Sequence, residues 1–411
     1  MSELNLKSDF HSATYTDWRT LVEKGLRGAT FETLNRKTED GISRGPLSTS
    51  ENVPKNIAPL PRAGAPLLEG RPWHITVQVC DPDIAYANKQ ALEDLGGGAS
   101  ALRISLCERG ISIANKNEMK RLLDQIYTDL VPIIVEPNNK IENAALFEDF
   151  KDTPIYLGLS PKTEGLEKLA KDLPKAWRLL TINAARVHDT GGSEAQELAY
   201  FAASAAHAFR RLGKQAAKHM GAELTTNQDG HLSIAKLRAA RRIYASIAQA
   251  IGVEAPPLSL HAVTSTRMMQ STDPWTNMLR VMSAGFGAII GGADFITSRA
   301  FTLALGTPTA FGNRITRNMQ LMMMEESHLG QVQDAAYGSD FHEQMTDQLA
   351  QAAWAEFQQI EAEGGLENID PFKARIKAAA KARDDKAEPI LGVTLHPAEN
   401  NRDAKVRRAY S

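Results

Sequence analysis

RPWHITVQVCDPDIAYANKQALEDLGGGASALRISL, residues 71–106, reads as strand, helix, strand. Trp73–Val79 and Ala101–Leu106 are short and rich in β-branched and apolar residues, as strands require. Ala85–Leu95 between them suits a helix, and Gly96, Gly97 and Gly98 end it before the turn into the next strand. The same rhythm continues downstream. A helix around Glu118–Ile126 precedes the apolar runs VPIIVE (131–136), PIYLGL (154–159) and RLLTINA (178–184), each short enough to be a buried strand. Ser193–Leu212 and Leu232–Ile251 read as strong helices, and in the second Leu237, Ala240, Tyr244, Ile247 and Ile251 share one face. LSLHAV (258–263) follows as a strand, and GAIIGGADFIT (287–297) holds another behind a helix that Asp273 and Pro274 start. About eight strands thus alternate with helices, the pattern of an α/β (β/α)8 TIM barrel more than of a doubly wound sheet. Helices at Arg314–Glu326 and Phe341–Gly364 close the unit.

The flanks are different. Trp18, Leu21, Val22, Leu26 and Phe31 recur at helical spacing, and residues 41–71 then turn rich in proline, glycine and serine. The expected organisation is an N-terminal arm over residues 1–70, a barrel over 71–369 and a charged, alanine-rich helical tail over 370–411. With 411 residues, 43% of them hydrophobic and 23% charged, the chain is large enough for a substantial core. Its 47 basic residues nearly balance 49 acidic ones, so no global field attracts nucleic acid or an anionic membrane. Cys80 and Cys107 share no CxxC spacing, which argues against a disulfide framework or a structural zinc site and fits a reducing cytoplasm. The first eighteen residues, MSELNLKSDFHSATYTDW, have acids and polar residues where a signal peptide needs an apolar stretch, and no transmembrane-length apolar run follows. A soluble, cytoplasmic protein is the expectation.

Several ordered stretches carry more information. Trp18, Leu21 and Gly25, FETL (31–34), TEDGI (38–42), Pro46-Leu47, Arg71-Pro72-Trp73, AQELAY (195–200), IAKLRAARR (234–242) and His261 with Thr264-Ser265 come first. Asp273-Pro274 with Asn277, Gly291-Gly292, RITRNMQ (314–320), EES (325–327), Tyr337-Gly338-Ser339, Trp354 with Phe357, IEAEGG (360–365) and PILGV (389–393) follow in order. Together they closely resemble the methylmalonyl-CoA mutase family, whose fold is a TIM barrel and whose members rearrange acyl-CoA skeletons by radical chemistry on adenosylcobalamin. The protein's share of that chemistry is to hold the cofactor, exclude water and orient the acyl group.

The resemblance fails at the reactive positions. Where the family pattern RPWxxRQYAG has a tyrosine and an arginine, this chain reads RPWHITVQVC, with Gln78 for the tyrosine and Thr76 for the arginine. The family's Tyr-His pair ahead of the ELAY helix falls on Ala185 and Arg186, and a permanently charged guanidinium cannot act as a tunable imidazole. His188 takes the histidine position if the alignment slips by two residues. GGADFITSR (291–299) replaces a cofactor-facing glutamine by Asp294 and a histidine by Thr297, and an acid suits a dry radical pocket poorly. His188, His261, Asp294 and Glu326 are the candidates for a vestigial pocket, with His261 also read as a buried, hydrogen-bonded structural residue.

The family's cobalt-binding Asp-x-His-x-x-Gly motif is approached only by DGHLSI (229–234), which has isoleucine for the glycine. The resemblance therefore implies a small, non-catalytic subunit of a heterodimeric methylmalonyl-CoA mutase. It would carry no cofactor of its own, with adenosylcobalamin and the acyl-CoA substrate bound by a large catalytic subunit and the arm wrapped around that partner. The alternatives are a catalytic acyl-CoA mutase barrel with a separate cobalamin-binding subunit, and a chaperone-like scaffold for a cobalamin enzyme. The cluster Lys236, Arg238, Arg241 and Arg242 reads as the solvated or subunit-facing side of an amphipathic helix. Met319, Met322, Met323 and Met324 read as core filling.

Overall fold

The computed structural model describes residues 13–55, 57–63, 70–106, 110–254, 256–384, 389–397 and 403–409. Cys107 and parts of the arm and tail lie outside the described residues. Eight strands close into one parallel barrel: β1 (His74–Val79), β2 (Ala101–Ile104), β3 (Ile133–Val135), β4 (Ile155–Leu159), β5 (Arg178–Asn183), β6 (Met220–Thr226), β7 (Ser259–Thr264) and β8 (Phe295–Thr297). Each pairs with its successor, and β8 closes onto β1 with Phe295, Ile296 and Thr297 opposite His74, Ile75 and Thr76. The helices that matter below are α1 (Tyr15–Gly25), α2 (Ile84–Gly96), α3 (Ala185–Asp189), α4 (Glu194–Leu212), α5 (Gly230–Ala250), α6 (Asn277–Ile290), α7 (Ala310–Leu321), α8 (Asp340–Ala362) and α9 (Asp370–Asp384).

The alternation along each strand separates two interiors. One set of strand side chains, including Ile75, Leu102, Ile104, Ile133, Val135, Leu224, Leu260 and Ile296, packs with the helices into the main apolar core. The other set faces the barrel axis and is largely polar or aromatic. This explains why Met220–Thr226 is the strand the apolar-run reading does not pick out: Gly221, Glu223 and Thr225 interrupt its apolar residues, yet every residue in it is buried.

Helix ends follow local chemistry. Ser193 and Gln196 form a capping box that starts α4, Asp229 caps α5, and Gly98, at φ 105°, turns the chain from α2 into β2. Met323 and Met324 are core residues, as expected, although α7 ends at Leu321 and a π-helical turn covers Met322–Glu326.

The basic cluster on α5 is a correction. Lys236, Arg238 and Arg241 are buried, not solvated. Lys236 Nζ lies 2.6 Å from Glu197 of α4, Arg238 grips Asp334 with two bonds of 3.0 Å and Glu343 of α8 at 2.6 Å, and Arg241 reaches Asp294 at 3.2 Å. The helix is sandwiched between the barrel and α8, so its second face is interior too, and paired charge is the only charge such a site tolerates.

The arm also departs from expectation in part. Helix α1 buries none of its residues, and Leu21 is 67% exposed. From Glu39 onward, however, the chain straps its own barrel. Glu39 pairs with Arg267 and Arg383, Asp40 accepts from Ala195 N at the start of α4, and Arg44 pairs with Asp229 at the start of α5. Further on, Leu60 N donates to Asp334, and Arg62 donates to the carbonyls of Gln333, Ile289 and Pro72 at the opposite end of the barrel. Tail residues Val406–Ala409 pair with Gly306–Pro308, where Arg407 bonds Asp81 at 2.6 Å and lies over the Tyr86 ring.

Candidate functional site

In a parallel barrel the chemistry belongs at the C-terminal ends of the strands, where the following loops converge. Here that end leads into a lumen that side chains fill. Arg103 on β2 reaches across to Glu223 on β6, four strands away, through two bonds of 3.0 Å. Phe295 on β8 meets Tyr156 on β4, also four strands away, edge to face with centroids 5.1 Å apart, and His74 stacks on Phe295 at 4.8 Å. Only side chains pointing along the diameter can make such contacts, so an aromatic layer and an ionic layer both cross the axis.

The ionic layer extends toward the mouth. Arg103 also holds Glu136 at 3.1 Å, and His261 Nδ1 stands 3.3 Å from Glu223 while its Nε2 meets Thr297 Oγ1 at 2.8 Å. Burial opposes the Arg103 charge, but Glu223 and Glu136 more than compensate and raise its pKa. Burial also opposes the Glu136 charge, yet Arg103 and neighbouring donors hold that carboxylate below its usual range. Burial, reinforced by Arg103 and Arg299, drives His261 well below the usual imidazole range. Above it, His188 Nε2 meets Ser265 Oγ at 2.8 Å, and burial with Lys236, Arg267, Arg383 and Arg299 depresses that ring in the same way. Burial thus favours the neutral form of both imidazoles, and both are already bonded.

The residues singled out from sequence scatter across this geometry. Gln78 lies in register with Arg103 and donates to Ser105 Oγ at 3.1 Å. Ala185 is buried at the start of α3, whereas Arg186 points to solvent, so the guanidinium takes no place in the lumen. His188 and His261 belong to the mouth and lumen. Asp294 and Glu326 do not. Asp294 precedes β8 at the base of the barrel, where it accepts from Leu260 N at 2.8 Å and from Arg241, and Glu326 is exposed beyond α7. The acid that looked misplaced in a pocket is thus a backbone tie at the far end. Sequence reasoning missed Arg103, Glu223, Glu136 and Arg299; the one local signal was a charge inside a short buried run, as in ALRISL and MGAELTT.

This arrangement is suited to holding a barrel shut. His188 at the mouth and His261 in the lumen are engaged with Ser265 and Thr297, and His74 is stacked on Phe295, so none of the three is positioned as a corrin's lower ligand. Among the described residues no group of three or more His, Cys, Asp and Glu converges on a metal, and no helix is long and apolar enough to cross a membrane. A cavity of about 570 Å³ lies between the arm at Leu60-Pro61 and the C-terminal half of α5, away from the mouth.

Comparison with known proteins agrees with the fold and the sequence motifs. The profile of the methylmalonyl-CoA mutase family matches residues 163–409. The methylmalonyl-CoA mutase small subunit of Streptomyces virginiae is 34% identical over 96% of this chain and 72% of its own length. That of Propionibacterium freudenreichii subsp. shermanii is 32% identical over 96% and 70%. A probable small subunit of Mycobacterium tuberculosis is 33% identical over 88% of this chain and 65% of its own length. The chain thus spans between 65% and 72% of the length of these relatives. With a closed eight-stranded parallel barrel and identities of this level over most of its length, the chain belongs to the methylmalonyl-CoA mutase family.

Proposed function

We propose that this chain is the small, non-catalytic subunit of a heterodimeric adenosylcobalamin-dependent methylmalonyl-CoA mutase. In that assembly a large subunit binds adenosylcobalamin and acyl-CoA and interconverts methylmalonyl-CoA and succinyl-CoA in the cytoplasm. The observation that carries the reading lies at the reactive positions: Gln78 is an amide bonded to Ser105, and Arg186 faces solvent. Side chains fill the lumen, as they do in TIM barrels generally, with Arg103–Glu223 and Phe295–Tyr156 across the axis. The names of the relatives as small subunits support a partner chain. This subunit's contribution is then to stabilise its partner and keep water from the partner's site.

Co-expression with the large subunit of the same mutase tests the reading. A stable one-to-one complex on size exclusion is expected, with no acyl-CoA rearrangement by this chain alone in adenosylcobalamin and full turnover by a complex carrying Arg186→Ala. Turnover by the isolated chain, or a large loss in the Arg186→Ala complex, overturns it in favour of a catalytic barrel.

A further inference from the structure

His231 and His342 stand side by side on the outer surface, where the first turns of α5 and α8 meet. His231 Nδ1 is 3.0 Å from His342 Nε2, and His342 Nδ1 is 3.0 Å from Ser339 Oγ. The Phe341 ring packs edge-on against His231 at 5.6 Å and limits its swing. The helices beneath are fixed relative to one another, because Arg238 of α5 is buried against Thr346 and Glu343 of α8. The rings are thus held nitrogen to nitrogen by the fold.

Two neutral imidazoles face each other in two ways: one N–H donates to the other lone pair, or both lone pairs converge on a cation. Two Zn–N bonds of about 2.0–2.1 Å at a tetrahedral angle place the nitrogens roughly 3.3 Å apart. The observed 3.0 Å is a few tenths of an ångström from that, a shift small enough for exposed His231 to make while keeping its contact with Phe341. With Nε2 as ligand, His342 Nδ1–H donates to Ser339 Oγ, the kind of outer bond that orients a ligating imidazole. The nearby charges are the Asp229 and Asp340 carboxylates on the same two turns, with Arg44 on Asp229 and Arg238 held by Asp334 and Glu343.

We propose that His231 Nδ1 and His342 Nε2 form a two-histidine site for a divalent transition cation of the zinc, nickel or copper class, stapling the start of α5 to the start of α8. Water fills the remaining positions, since no third His, Cys, Asp or Glu among the described residues joins the pair. The ion is therefore exchangeable, and imidazole donors select it against magnesium and calcium, which take oxygen. The proposal does not rest on the mutase reading.

The test is calorimetric titration of the full chain with ZnCl2 after dialysis against a chelator, alongside thermal melting. One saturable site per chain is expected, with a melting point raised by about 3 °C at a hundredfold excess over Kd. His231→Gln and His342→Gln should each abolish that site with an unchanged far-UV spectrum, and MgCl2 should produce neither effect. Absence of saturable zinc heat in the native chain, or the same heat in both variants, overturns the proposal. Should His342→Gln fold poorly, exposed His231→Gln decides alone.

Discussion

Arg103 and Glu223 form an ion pair taken wholly out of water, and its two halves differ sharply from the pair in what their loss does. Removing one partner strands a buried charge, whereas replacing both by apolar groups removes the desolvation penalty along with the attraction. Glu223→Ala is expected to destabilise the fold by about 3 kcal/mol, the low end of the usual range because Glu136 remains 3.1 Å from Arg103. Arg103→Met with Glu223→Leu should recover most of that loss; urea unfolding of the three chains measures both, and a single variant as stable as the native chain would show that the lumen pair is not structural. Asp40 gives a pH prediction. Burial and the neighbouring Glu194 raise its pKa from 3.8 to about 6. The folded state then holds a proton that the unfolded chain releases, so this group's contribution is fully present below about pH 4 and fades as pH rises through about 6. Asp40→Asn, which keeps an acceptor for Ala195 N, should flatten the fall in stability between pH 4 and 6.5. A curve parallel to that of the native chain would contradict it.

At the scale of elements, charge and burial rearrange what periodicity suggests. Helix α5 has a recognisable apolar stripe, but its polar residues are also enclosed because α8 lies across them, and Lys236, Arg238 and Arg241 become ties to α4, α8 and the turn before β8. The proline-rich arm is similar: no apolar pattern marks it as part of the core, yet single polar anchors fix it at both ends of the barrel. Arg62 is the clearest, with burial and carbonyl acceptors on three segments. Arg62→Ala should lower stability by about 1 kcal/mol, since it removes hydrogen bonds to carbonyls that are exposed or only partly buried. It should also speed proteolytic cleavage within residues 39–63. Unchanged cleavage would mean that Arg44 and Asp40 hold the strap without it.

The whole molecule divides into a closed barrel and an uncovered N-terminal helix. Since α1 buries no residue on this chain, Leu21→Glu should leave the melting point within about 1 °C and weaken association with the proposed large subunit at least tenfold. Equal affinity, measured by interferometry, would remove α1 from the partner contact. The sequence by itself determined the (β/α)8 class, because strands of a parallel barrel show as short apolar runs separated by helix-length segments. It also determined the family, because the ordered motifs that carry it are matters of residue identity. It left β6 unread, the basic face of α5 misplaced and Asp294 at the wrong end. Only the tertiary structure decided that Arg103 and Glu223, 120 residues apart, seal one lumen, and that His231 and His342 meet. Closure brings distant strands and helix ends together across space, and no local pattern encodes which charge will face which.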